Sequence, residues 1–144
     1  MPDKDPYGAF NFIVEVDGSP VAAFTEVSGL EYEVQVIEYR DGSDVTPTVR
    51  KVPGLVKYAN IVLKRGITAD HDFWDWVTQP LSGNVEKRDG LIAILGADRT
   101  PVASWQFTKG WPCKYVGPNL SAETNEVAIE TVEICHEGLH FVER

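Results

Sequence analysis

This chain of 144 residues predicts an α+β domain made mainly of antiparallel sheet. Three observations lead there. Apolar residues recur at every second position along most of the chain, the period of a half-buried strand. Only the segment around Ala69, Phe73, Trp76 and Val77 has helical spacing. Gly, Pro and Asp-Gly breaks separate the runs at short intervals. The expected architecture is a barrel- or sandwich-like sheet of seven or eight strands with one short α-helix, forming a single domain over residues 1–144.

The elements follow in order. Phe10, Phe12, Val14 and Val16 alternate with Asn11, Ile13, Glu15 and Asp17, and Asp17-Gly18-Ser19-Pro20 supplies a turn. Residues 21–27 then return, so 10–27 reads as a hairpin that Ser28-Gly29 ends. In 31–39, Tyr32, Val34 and Val36 lie opposite Glu31, Glu33 and Gln35. From Arg40 to Leu55 the period fails among Asp41-Gly42-Ser43-Asp44, Pro47, Pro53 and Gly54. That stretch reads as a long loop or a loose hairpin arm, and loops of this length usually have a job. Residues 58–65 form the next strand and Gly66 stops it.

Thr68 can cap the helix, with Asp70 and Asp72 in its first turn where the dipole favours negative charge. Phe73, Trp76 and Val77 make its packing face, and Pro80 limits its length. Short strands are expected at 90–95, 102–107 and 111–116, with a turn at 97–101, and a last long strand at 126–136. One helix covers one end or edge of such a sheet. Polar strand faces can meet water, but the long edges left over invite pairing with another chain.

Composition narrows the function. Hydrophobic residues make up 43% and aromatics 10%, which excludes disorder. A chain of this length buries about 70% of its unfolded surface, enough for a core without staples. Thirteen Lys+Arg stand against 22 Asp+Glu, a formal net charge of -9. That balance disfavours a specific grip on nucleic acid and docking to an anionic membrane. No run approaches the ~18 apolar residues that read as a membrane anchor.

The polar start, residues 1–8, reads as a flexible arm with no secretory signal, so assembly in the producing cell's cytoplasm is expected. Cys113 and Cys135 are too few for a disulfide scaffold and read as small buried hydrophobes. Asn119-Leu120-Ser121 matches a glycosylation sequon that has no use without secretion.

His136-Glu137-Gly138-Leu139-His140 fits the H-E-x-x-H pattern of zinc peptidases. The pattern needs a helix, whereas here it ends a strand and contains Gly138. Too little chain follows for a third ligand, and His71 is the remaining histidine. No phosphate-binding glycine loop and no nucleophile elbow occurs. No catalytic residue, metal or cofactor is therefore assigned. Trp76 reads as core, while Trp74, Trp105 and Trp111 serve packing better than a ligand platform. A small acidic binding domain with an aromatic groove is the alternative reading.

Several segments, taken in order, carry a resemblance. They are Phe24-Thr25-Glu26-Val27-Ser28-Gly29-Leu30, Glu38-Tyr39-Arg40-Asp41-Gly42, Arg50-Lys51-Val52-Pro53-Gly54 and Leu63-Lys64-Arg65-Gly66. Phe73-Trp74-Asp75-Trp76, Trp111-Pro112-Cys113-Lys114-Tyr115, Asn125-Glu126-Val127-Ala128-Ile129-Glu130 and His136-Glu137-Gly138-Leu139 complete the set. From about Phe10 to Leu139 the chain resembles the tube proteins of contractile phage tails and of extracellular contractile injection particles.

The resemblance implies a non-enzymatic structural subunit. Its strands assemble into a hexameric ring, and rings stack into a hollow tube driven through a target envelope by sheath contraction. Implied partners are further copies of the chain, a sheath protein, baseplate or hub and terminal cap proteins, and a tape measure or cargo in the lumen. The finished subunit is then part of a phage tail or a released particle.

On that footing Glu31, Glu33, Gln35, Asn60, Lys64, Glu126 and Glu130 are expected to face the lumen, where an acidic lining keeps acidic cargo from sticking. The 40–55 loop, with Arg40, Asp41, Asp44, Arg50 and Lys51, is expected to join one ring to the next.

Overall fold

The computed structural model describes residues 8, 11–21, 24–43, 45, 47–68, 71–123 and 125–143. Over these residues the chain forms ten strands and one α-helix. They are β1 (Phe12–Val16), β2 (Ser19–Val21), β3 (Phe24–Ser28), β4 (Tyr32–Tyr39), β5 (Arg50–Tyr58), β6 (Ile61–Gly66), α1 (His71–Thr78), β7 (Arg88–Leu95), β8 (Pro101–Val116), β9 (Ile129–Cys135) and β10 (Gly138–Glu143). An eight-stranded antiparallel sheet runs β2-β1-β7-β8-β9-β6-β3, with β10 also paired to β8. β4 and β5 form a separate two-stranded sheet.

The expected α+β class and its single short helix are what the described residues show; β5 opens at Arg50 inside the stretch read as a long loop or loose hairpin arm, and three further departures concern the other strands. The first concerns the 10–27 hairpin. Asp17 and Gly18, at φ of 55° and 79°, turn β1 onto β2 with Val14 opposite Val21. β3 does not continue that hairpin. It pairs with β6 at the far end of the sheet, Val27 opposite Leu63, and this brings the Phe24 ring edge-on to Phe73 at 5.6 Å.

The second departure is that 102–107 and 111–116 are one strand of 16 residues. Thr108-Lys109-Gly110 bends it without breaking it. Lys109 takes a φ of 51°, and its N–H donates to Asp89 Oδ1 at 3.0 Å. The third is β10, where the chain was expected to end its last strand at His136. Cys135 lies opposite Trp111 and Gly138 opposite Thr108, so β9 and β10 follow β8 as one bent track.

That long bent hairpin carries the sheet round the core. Val14, Val16 and Ile92 from one end of the sheet pack with Ile61, Leu63, Val132 and Ile134 from the other. The sheet therefore folds over on itself. α1 closes an open side by burying Phe73, Trp76 and Val77, the three residues its spacing predicted. Ala69 and Asp70 lie outside the described residues. A 3-10 turn over Gln79–Ser82, holding Pro80, ends the helical segment at Gly83 with φ of 85°. The Trp76 indole N–H is satisfied by Glu86 O at 2.8 Å.

Candidate assembly surface

The β4–β5 hairpin leaves the body at Gly29 and returns at Asn60. Gly29 has a φ of 87°, and a side chain there would overlap the Asn60 carbonyl. Tyr32 faces Tyr58 across the base, and the Tyr58 ring lies 5.5 Å from His136. The two ring nitrogens of His136 sit 3.0 Å from Ala59 O and 3.0 Å from Gly138 O. This histidine thus ties the hairpin to the β9–β10 corner. Both its nitrogens face carbonyls rather than an open coordination site, and no helix carries the H-E-x-x-H residues. Among the described residues no group of three His, Cys, Asp or Glu could hold a metal.

Every described residue of β4 is exposed, as are most of β5. Strand alternation puts Tyr32, Val34 and Val36 on one face with Val56 and Pro53. Glu31, Glu33, Gln35, Ile37 and Tyr39 share the other with Lys57 and Val52. A bulge between Val34 and Val36 shifts the register, and Gly54 makes room there for the Ile37 side chain. Each face therefore carries an apolar patch in water: Val36 is 59% exposed and Leu55 75%. A two-stranded hairpin is marginal alone, and one with bare apolar patches on both faces needs cover from another molecule.

The expected ring-joining residues sit at the far end of this arm. Arg40 and Asp41 follow β4, while Arg50 and Lys51 are not loop residues but open β5 on alternate faces, opposite Tyr39 and Glu38. Ser43 N–H donates to the Asp41 carboxylate at 3.0 Å and lowers its pKa. Asp44 lies outside the described residues.

The seven expected lumen residues do not fall on one surface of the subunit. Glu31, Glu33 and Gln35 share a hairpin face. Lys64 stands on the outward face of β6, 3.4 Å from Glu26. Asn60, at the same face, donates to Glu133 Oε1 at 3.3 Å. Glu126 is exposed ahead of β9.

Glu130 is a correction. Its side chain is only 6% exposed, and it accepts from Arg65 Nε at 3.1 Å and from the Tyr115 hydroxyl at 2.9 Å. Arg65, 3% exposed, stacks its guanidinium 4.8 Å from the centre of the Phe73 ring. Burial first, then the Glu130 carboxylate, raises the Tyr115 pKa. Glu130 has the same strand parity as Val132 and Ile134, so the sequence already held the sign that it points inward.

Sequence reasoning missed three charges on that outward face, Glu26, Lys114 and Glu133. Glu26 pairs with Lys64, and Lys114 lies 3.6 Å from Glu133. Cys113 is also exposed there, contrary to its reading as a buried hydrophobe. Alternation against Leu63, Val132 and Ile134 was the signal that could have placed these residues. Of the tryptophans, Trp74 is partly exposed and meets Tyr115 edge-on at 5.1 Å.

Comparison with known proteins gives this surface its context. No curated protein matches the chain. A chain of the sheath–tube complex from the extracellular contractile injection system PVC, in its extended state, is similar at 26% identity and a TM-score of 0.86, over 98% of this chain and 94% of that one. The tube-terminating cap of the anti-feeding prophage is similar at 26% identity and a TM-score of 0.88, over 100% and 95%. Hcp1 of Flavobacterium johnsoniae shares the fold at 18% identity and a TM-score of 0.60, over 94% and 97%. The profile of the T4-like virus tail tube protein gp19 family matches residues 8–140. That match spans most of the sheet, the helix and the uncovered arm, and the chain belongs to the T4-like virus tail tube protein gp19 family.

Proposed function

We propose that this chain is the inner-tube subunit of a contractile injection apparatus, in which six copies close into a ring and rings stack into a hollow tube. Sheath contraction then drives the tube through a target envelope and delivers its cargo. The β4–β5 hairpin carries this reading. It exposes apolar residues on both faces, so covering it takes more than one neighbouring surface, as a ring within a stack provides. Among the described residues β2 and β3 each pair on one side only, and their outer edges offer further pairing sites between neighbours. The similarity to a sheath–tube complex and to a tube-terminating cap supports a sheath protein and a cap as partners, and a baseplate belongs to the same proposal.

Within the tube, the base of the hairpin at Glu31, Glu33 and Gln35, apart from the apolar patch farther along the same face, and the outward sheet face with Asn60 and Lys64, are the surfaces we assign to the lumen, together with Glu126. Arg40, Asp41, Arg50 and Lys51, at the hairpin tip, meet the adjacent ring. The test uses Glu33→Cys in a Cys113→Ser background, because Cys113 is itself exposed. In assembled tubes the new thiol should resist a reagent too large for the bore and react with a small one. Full reaction with the large reagent would remove Glu33 from the lumen wall.

A further inference from the structure

The outward face of the β8–β9 pair holds two thiols side by side, and the tube reading gives them no role. The register places Trp111 opposite Cys135 and Lys114 opposite Glu133, with a bulge between Pro112 and Lys114. Cys113 sits in that bulge. Its thiol donates to Glu133 O at 3.5 Å, and the Asn60 amide reaches both its sulfur at 3.7 Å and Glu133 Oε1. These contacts turn Cys113 onto the face that Cys135 shares with Glu133, two residues away on β9. The Cys113 thiol is exposed, and the half-buried Cys135 thiol stands on the neighbouring strand at the same face. Burial, then the neighbouring Cys113, pushes Cys135 up to about 11.

We infer that Cys113 and Cys135 are a modification site: an adjacent dithiol that low-molecular-weight disulfides convert to a cross-strand disulfide. The atoms balance in two exchanges. The Cys113 thiolate attacks a sulfur of the small disulfide, forming a mixed disulfide and expelling one small thiol. The Cys135 sulfur then attacks the Cys113 sulfur, closing the Sγ–Sγ bond and expelling the second small thiol. Two protein thiols are oxidised and one small disulfide is reduced, so no other oxidant is needed. Cys113 takes the first step because it is accessible and carries no comparable burial. The bridge would pin β8 to β9 at the bulge, where the ladder is interrupted. A subunit made in a reducing compartment and released into an oxidising one would gain this link after folding. The chemistry belongs to the single chain and stands whether or not tubes form.

The experiment treats reduced, full-length protein with oxidised glutathione and follows intact mass and free thiols under non-reducing conditions. Wild type should lose two hydrogen atoms and fall from two titratable thiols to none. Peptide mapping should then join the segments holding Cys113 and Cys135. Cys135→Ser should stop at one glutathione on Cys113, which shows the order of attack. Wild type that keeps glutathione without closing the bridge, or that forms a disulfide-linked dimer instead, would overturn the proposal.

Discussion

Phe107 has no exposed surface, and its ring is held between two glycines. A Cβ on Gly90 or on Gly110 would overlap it. Both glycines are thus set by packing against the ring at the bend of β8. Gly90→Ala should destabilise the subunit by about 1–3 kcal/mol through overpacking, read as a lower urea midpoint with an unchanged slope. The Arg65–Glu130 pair is equally local. Glu130→Ala leaves a buried guanidinium without its carboxylate, and the expected loss is about 3–5 kcal/mol. Glu130→Gln, which still accepts from Tyr115, should cost less. Cys135 adds a pH signature in the reduced protein. Its folded pKa is raised from 9.0 to about 11, so the native state holds the proton longer than the unfolded chain. Its contribution is full below about pH 9 and is lost as pH rises toward about 11. Cys135→Ala should flatten that part of the alkaline decline in the unfolding midpoint.

At the scale of elements, the hairpin β4–β5 separates folding from assembly. Of its residues only Tyr58, at the base, packs against the buried cluster. Val36→Asp should therefore leave the unfolding midpoint within about 0.5 kcal/mol of wild type, as for other exposed sites, while suppressing tube formation. Deleting residues 43–48 should likewise stop growth without unfolding the subunit. Circular dichroism melts alongside sedimentation check both.

Sequence legibility differs among the elements for physical reasons. Helix α1 was readable because Phe73, Trp76 and Val77 repeat at its own period and Pro80 bounds it. β4 was readable because Tyr32, Val34 and Val36 alternate with Glu33 and Gln35. β5 was not, because Pro53 and Gly54 interrupt an arm with no buried face of its own to impose a pattern. The long β8 was hidden by Lys109-Gly110, which signals a turn when local and a bend when a buried ring such as Phe107 needs the space. Glu130 misled because a carboxylate reads as outward until its partner is known. That partner, Arg65, is 65 residues away in the chain.

Over the whole molecule, net charge sets the terms of assembly. Six copies at -9 each would place about -54 on a ring, a self-repulsion that the apolar hairpin contacts must exceed. Salt screens charges separated by more than about 8–10 Å near physiological strength. Tube length should therefore grow with added salt at fixed protein concentration, and tubes that shorten with salt would show that attractive charged contacts outweigh this repulsion. The sheet that folds over its own core gives each copy a stable body, and in the proposed tube the uncovered arm docks that body on its neighbours. Electron microscopy of the purified, concentrated protein tests this most directly. The account predicts six-subunit rings and hollow stacks that Val36→Asp abolishes. A wild-type protein that remains monomeric at every concentration, with β4–β5 folded and protected from proteolysis, would contradict it.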